Sequence, residues 1–256
     1  MEQFVVTPAA GKRLIALALA REERIRFALE NNTLAVLAGT TNGYIAEEIL
    51  KGLGREAGFF RSDFYRGLSI PPGSKAGGPK SDFPGDVILH KGEWLAGQTI
   101  FDVIHDLGPK DVILKGGNAL DIKKGEAGVL IGHPRGGTTV CAMQAVVGRR
   151  TGFIVPIGLE KRVDSGIREI AGELNSPGAS GVRMLPLPGE VFTELDAIAA
   201  LSGAQARVMA AGGVCGAEGA VWLAVSGSKE EEKAVEEIMD SVSKEPPFSL
   251  RSPDSG

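Results

Sequence analysis

Apolar and polar positions along this chain follow two periods, and the change from one to the other marks out the elements. Residues 33–38 (T-L-A-V-L-A), 86–90 (D-V-I-L-H), 112–114 (V-I-L), 129–131 (V-L-I) and 152–157 (G-F-I-V-P-I) are short continuous apolar runs. Such runs suit strands that are buried on both faces of a parallel sheet. Between them, apolar residues recur at helical spacing. Leu14, Leu17, Ala18, Ile25, Ala28 and Leu29 predict one helix over residues 7–31, and Ile45, Ile49, Leu50 and Leu53 another over 44–53. Shorter helices are expected over 100–107, 140–149 and 165–174. Further on, strands are expected at 182–187, 206–210 and 220–225, and helices at 193–201 and 229–242. Thr193 reads as an N-cap, and Ser228 with Glu231 as a capping box.

Strands that mostly alternate with helices, about seven or eight of them, predict an α/β fold. The expected architecture is an open, mostly parallel, doubly wound sheet with helices on both faces and glycine-rich loops at the C-terminal ends of its strands. No linker interrupts the pattern, so residues 1–242 read as a single domain. Residues 243–256, rich in Pro and Ser, read as a disordered tail. The largest insertion spans residues 55–85 and has few apolar positions. Its basic residues are Arg61, Arg66, Lys75 and Lys80. Loops this long are functional or mobile, so it reads either as a mobile surface excursion or as a lid over an anionic ligand.

Composition narrows the function. The 256 residues carry 36 glycines, about double the typical share of roughly 7%. They cluster at strand ends, where they allow tight turns and close backbone approach. The net charge of −4 argues against a nucleic-acid-binding surface. Aromatics are only 5% of residues, too few for a base-stacking platform. Cys141 and Cys215 have no metal-ligand spacing and read as buried thiols of an intracellular protein. Leu14 to Ala20 is apolar, but Arg21-Glu22-Glu23-Arg24 ends the run too soon for a signal peptide or membrane span. A cytoplasmic location without a membrane partner is expected. Apolar helices outside the sheet suggest a homo-oligomer.

The chemistry concentrates between Asp111 and Thr139. Lys115-Gly116-Gly117-Asn118 follows one apolar run, and Arg135-Gly136-Gly137-Thr138 follows another. Ligands of open parallel sheets bind outside the carboxyl ends of the strands, so both loops are candidate anion sites. Gly39-Thr40-Thr41-Asn42-Gly43 lies between a strand and a helix, the geometry that aims backbone N–H groups and a helix dipole at an anion. A plain turn needs fewer such residues. Lys115 is the leading candidate, to neutralise a phosphate or carboxylate or to polarise a carbonyl. The alternative is a surface lysine. Asp121 and Glu126 are candidate general bases. Glu218 joins them, in a loop with Gly212 and Gly213 that looks like a further site. The runs D-V-I-L-H-K-G (86–92) and D-V-I-L-K-G-G (111–117) are alike and suggest two equivalent strand ends facing one cleft. No H-E-x-x-H, C-x-x-C or P-loop pattern occurs, so metal hydrolysis and ATP-type phosphate cradling lack support, and the sequence leaves any cofactor unknown.

G-T-T-N-G after the first strand and D-V-I-L-K-G-G-N-A-L later in the chain resemble the superfamily of ribose-5-phosphate isomerase. Its other members include sugar-phosphate sensor domains of DeoR-type repressors, glucosamine-6-phosphate deaminase and CoA-transferases. The resemblance covers residues 10–160. It implies that the loop at 39–43 binds a sugar phosphate and that Lys115 lies in an active site. The isomerases' D-G-A-D-E motif is replaced here by Phe101-Asp102-Val103-Ile104-His105-Asp106. The expected function is binding of a small anionic metabolite (phosphorylated sugar, nucleotide or carboxylate), with isomerisation or another proton transfer. The alternatives are a metabolite sensor without catalysis and a structural protein of the same fold. Convergence of Asp121, Glu126 or Glu218 on Lys115 would favour the enzyme, and scatter the binding module.

Overall fold

The computed structural model describes residues 1–70 and 85–249. In chain order the elements are β1 (Glu2–Val6), α1 (Pro8–Leu19), α2 (Glu23–Asn31), β2 (Thr33–Val36), α3 (Thr40–Gly52), β3 (Val87–His90), β4 (Glu93–Trp94), α4 (Ile100–Val103), β5 (Val112–Leu114), β6 (Ala119–Asp121), β7 (Glu126–Ile131), α5 (Gly137–Arg149), β8 (Gly152–Pro156), α6 (Ile167–Leu174), β9 (Arg183–Leu187), β10 (Glu190–Phe192), α7 (Glu194–Ser202), β11 (Gln205–Ala211), β12 (Val221–Ser226) and α8 (Lys229–Val242). Short 3-10 turns occupy Arg61–Asp63 and Leu159–Lys161.

The central sheet is mixed and mostly parallel, with strand order β10-β8-β5-β2-β3-β4. β10, β8, β5 and β2 run parallel, β3 is antiparallel to β2, and β4 is antiparallel to β3 and so runs with the parallel strands. The chain leaves β2 for β3 and β4 on one side, then returns to β5 on the other. That reversal opens a crevice at the C-terminal ends of β2 and β5, the place where such sheets bind ligands.

The strands do not form one sheet. β6, β7 and β9 make a separate antiparallel sheet, and β1, β12 and β11 another. The run at 129–131 therefore belongs to a hairpin with β6 rather than to the parallel sheet. The small β6-β7-β9 sheet carries its own core, in which Ala119, Ile167, Ala171 and Met184 are buried. The large core runs from Leu14, Ile15 and Leu19 of α1 through Leu34 to Val36 of β2 and on to Val235 of α8.

The helix expected over residues 7–31 is two helices. Glu22 breaks it, because its carboxylate accepts the Ile25 N–H at 2.9 Å and so caps a new helix. The caps read at Thr193 and Ser228 are present as capping boxes with Asp196 and Glu231. Cys141 is buried as expected, but Cys215 is exposed.

Part of the expected loop and tail falls on residues 71–84 and 250–256, outside the described residues. The parts described are packed. Phe59 and Phe64 are buried. Glu245 takes hydrogen bonds from Arg13 and pairs with Arg61 at 3.2 Å. Glu245, in the segment expected as tail, is thus the counter-ion of two largely buried arginines.

Candidate functional site

Three neighbouring parallel strands deliver polar groups to one cleft of about 780 Å³. The turn after β2 supplies Gly39, and the first turn of α3, expected from the sequence as loop, supplies Thr40, Thr41 and Asn42. After β5 come Lys115, Gly116, Gly117 and Asn118, and after β8 comes Lys161. β7, from the small sheet, delivers Arg135, Gly136, Gly137 and Thr138 to the same cleft.

Local hydrogen bonding sets this arrangement. Asn42 is fully buried, and its Nδ2 donates to the Leu37 and Leu114 carbonyls at 2.8 and 2.9 Å. It thereby ties the end of β2 to the end of β5. Its Oδ1 and the Thr41 hydroxyl are buried without a partner among the described residues. The Asn118 side chain accepts the Leu130 N–H at 3.0 Å, which joins the β5 loop to β7.

Two helices begin at the cleft, α3 after Gly39 and α5 after Gly136. Neither N-terminus has a side-chain cap. In contrast α1, α2, α7 and α8 are capped by Thr7, Glu22, Thr193 and Ser228. An uncapped start leaves backbone N–H groups free to bind an anion, and the helix dipole adds about half a positive charge. Gly136 adopts a left-handed conformation (φ 79°), and a Cβ there would lie 2.2 Å from Val140 Cγ2. Only glycine can make this turn into α5 without strain.

The charge in the cleft is one-sided. Lys115, Lys161, Arg66 and Arg135 line it, and no carboxylate does among the described residues. The Lys115 ammonium has no hydrogen-bond or ion-pair partner among the described residues. Burial pushes its pKa down to about 8; Asp86 opposes this, while Arg66 and Lys161 add to it. Lys161 donates to the Gly117 carbonyl at 2.9 Å. Its pKa is also lowered, by burial first and then by Lys12, against the pull of Glu160 and Glu194.

Two buried carboxylates stand behind this face. Asp86 accepts from the Ala38 and Ile100 N–H groups and from Arg66 at 3.1 Å, which holds that arginine at the cleft. Glu194 accepts the Leu159 N–H at 2.9 Å, just before Lys161. Burial, reinforced by Glu160, pushes the Glu194 carboxyl up to about 8. Lys12 bridges to Glu160 at 3.2 Å.

The structure thus brings together all the candidate residues of the 39–42, 115–118 and 135–138 loops. It separates the others. Asp121 and Glu126 face each other across the β6–β7 hairpin. Asp121 accepts the Lys124 N–H, and Glu126 lies 3.7 Å from Arg168. Glu218, Gly212 and Gly213 lie in the β11–β12 connection of the third sheet, where Glu218 accepts the Gly216 N–H at 2.9 Å. Gly212 has φ 93°, so that loop is rich in glycine because the chain reverses there. None of these five residues lines the cleft.

The likeness of 86–92 to 111–117 does not mark equivalent ends. β3 is antiparallel to β2, so His90 lies at the start of β2, where it contacts Thr33 at 3.0 Å. For the same reason Asp86, at the start of β3, reaches the cleft end. Asp111 starts a parallel strand and stays at the far end, accepting from Thr33 and Gly108. From the sequence, Arg66 belongs to a loop that reads as a surface excursion or a lid, Glu160-Lys161 reads as a strand-end pair that is either a site element or an exposed pair, and Asp86 reads as a strand start. Glu194 carried no signal beyond following a helix cap. No family model matches the chain, nor does any curated protein or solved structure compared with it.

Proposed function

We propose that this protein binds a small anionic metabolite, such as a phosphorylated sugar, nucleotide or carboxylate, at the ends of β2 and β5. The observation that carries this is a cleft with two uncapped helix starts, an unpartnered lysine ammonium and no lining carboxylate among the described residues. Each feature favours an anion and disfavours a cation. The resemblance of the 39–43 and 115–120 segments to the ribose-5-phosphate isomerase superfamily supports the same reading, since it implies a phosphate at the first loop and a functional lysine at the second.

The three carboxylates that would have supported proton transfer lie outside the cleft, which favours binding without carboxylate-based catalysis. A second reading keeps an enzyme. Burial brings the Lys115 ammonium to about 8, and an amine so placed in the cleft lining can exchange a proton near neutral pH.

Thermal-shift measurements against sugar phosphates, nucleotides, CoA esters and small carboxylates test the proposal. A true ligand at about one hundred times its Kd adds roughly 2.7 kcal/mol to stability and raises the melting temperature. Stabilisation by anions and not by their neutral analogues is expected. A flat response across the panel would remove the proposal.

A further inference from the structure

The positive groups of the cleft are divided between two walls. One wall is the start of α3, reached through the parallel strand β2. The other is the start of α5, reached through β7 of the antiparallel β6-β7-β9 sheet. Each wall has its own polar groups without partners. At α3 these are the Thr41 hydroxyl and Asn42 Oδ1, on residues only 2% and 0% exposed. At α5 they are the side chains of Thr138 and Thr139, 8% and 3% exposed, which line the cleft without a hydrogen bond among the described residues. Each wall has its own basic residue as well, Arg66 beside the loop after β2 and Arg135 just before α5.

Two such walls in one cleft offer two places for an anionic group. The cleft is also larger than a single inorganic anion needs. Its volume of about 780 Å³ lies in the range of whole small-molecule sites, roughly 300–1,000 Å³. Arg66 is already paired with Asp86, and Lys161 is bonded to the Gly117 carbonyl with Glu160 close by. Among the described residues, Lys115, Arg135 and two helix dipoles remain to be compensated, about three positive charges if each dipole counts as one half. A monoanion, or even one phosphate dianion, falls short of that. The lining also includes Leu68, Phe101, Val129 and Ile131, apolar groups that suit a carbon skeleton better than a free polyphosphate.

We infer that the ligand is a two-headed anion, a carbon skeleton with an anionic group at each end, one at the start of α3 and the other at the start of α5. A bisphosphate or a phosphorylated carboxylic acid has this chemistry. The inference rests on the proposed anion-binding function and narrows its ligand class.

Calorimetric titration of the full chain with matched pairs tests it. Fructose 1,6-bisphosphate is compared with fructose 6-phosphate, and 3-phosphoglycerate with glycerol 3-phosphate. At least one two-headed probe is expected to bind tenfold or more tightly than its one-headed partner. Thr40→Asp and Thr138→Asp each place a carboxylate in the first turn of one helix, where it favours the helix and occupies that wall. Both variants should keep the wild-type melting temperature. Each alone should reduce the affinity for the two-headed probe to that of its one-headed partner. Equal affinity within both pairs, or loss in only one variant, overturns the two-headed ligand and leaves anion binding standing. If none of the four probes and no inorganic pyrophosphate binds, the two-headed ligand fails, and a flat response in the wider thermal-shift panel as well removes the anion site itself.

Discussion

Lys115 shows how one residue can be tuned by its surroundings. It follows a buried strand and sits among Asp86, Arg66 and Lys161, and burial brings its pKa to about 8. Two opposite pH effects follow. A bound anion needs the ammonium, so affinity is full below pH 8 and falls as the pH rises past it, by up to about tenfold per pH unit. The empty protein behaves the other way. Between about 8 and the ordinary lysine value of 10.5, the unfolded chain holds a proton that the folded one has lost, so this group adds stability as the pH rises. Lys115→Met should weaken binding of fructose 1,6-bisphosphate at pH 7 by tenfold or more and flatten both pH profiles. Titrations between pH 7 and 10 with matched denaturation curves check this. A wild-type affinity that does not change through pH 8 would take the lysine out of the binding step.

At the scale of elements, the cleft depends on how α3 and α5 begin. Both are preceded by glycine, but for different reasons. Gly39 is extended, with φ 173°, and nothing lies near the position of a Cβ. Gly136 is left-handed and pressed against Val140. Gly39→Ala should therefore change stability by no more than about 0.5 kcal/mol. Gly136→Ala should cost about 1–3 kcal/mol, from the left-handed conformation and the contact with Val140, and should shift the start of α5 enough to weaken ligand binding. Urea denaturation of the two variants separates them. Equal midpoints would show that the turn into α5 carries no strain.

At the scale of the whole molecule, the C-terminal residues close the structure around an arginine pair. Arg13 of α1 binds Glu47 and Glu48 of α3 together with Glu245 beyond α8. Arg61 pairs with Glu47 and Glu245 and lies 3.8 Å from the centre of the Tyr44 ring. Phe248 packs edge-on to Tyr65, a cleft residue. This network links the chain end, α1, α3 and the segment that holds Arg66. Glu245→Ala should lower stability by about 1–2 kcal/mol, since it removes a charged acceptor from two largely buried guanidinium groups. An unchanged denaturation midpoint would mean that the chain end is bound without contributing to the fold.

The sequence by itself determined the local structure. Short apolar runs marked the strands, helical spacing marked most of the helices, and polar glycine segments after the runs marked the neighbourhood of Lys115, although residues 40–43 and 137–139, expected as loop, are the first turns of α3 and α5. These are effects of neighbours in the chain, so they are legible there. Strand direction was decided only in the tertiary structure, because it depends on partners far apart in sequence. An antiparallel β3 carried Asp86 to the cleft and Lys91 away from it, although D-V-I-L begins both β3 and β5 segments. Pairing of β7 with β6 and β9, and of β12 with β1 and β11, drew Asp121, Glu126 and Glu218 into hairpins outside the cleft. The buried carboxylates Asp86 and Glu194 had no local signal, since what sets their environment is the packing of other segments around them. A charge in the chain is a residue type; which charges share a cleft, and which are buried behind it, is a property of the fold.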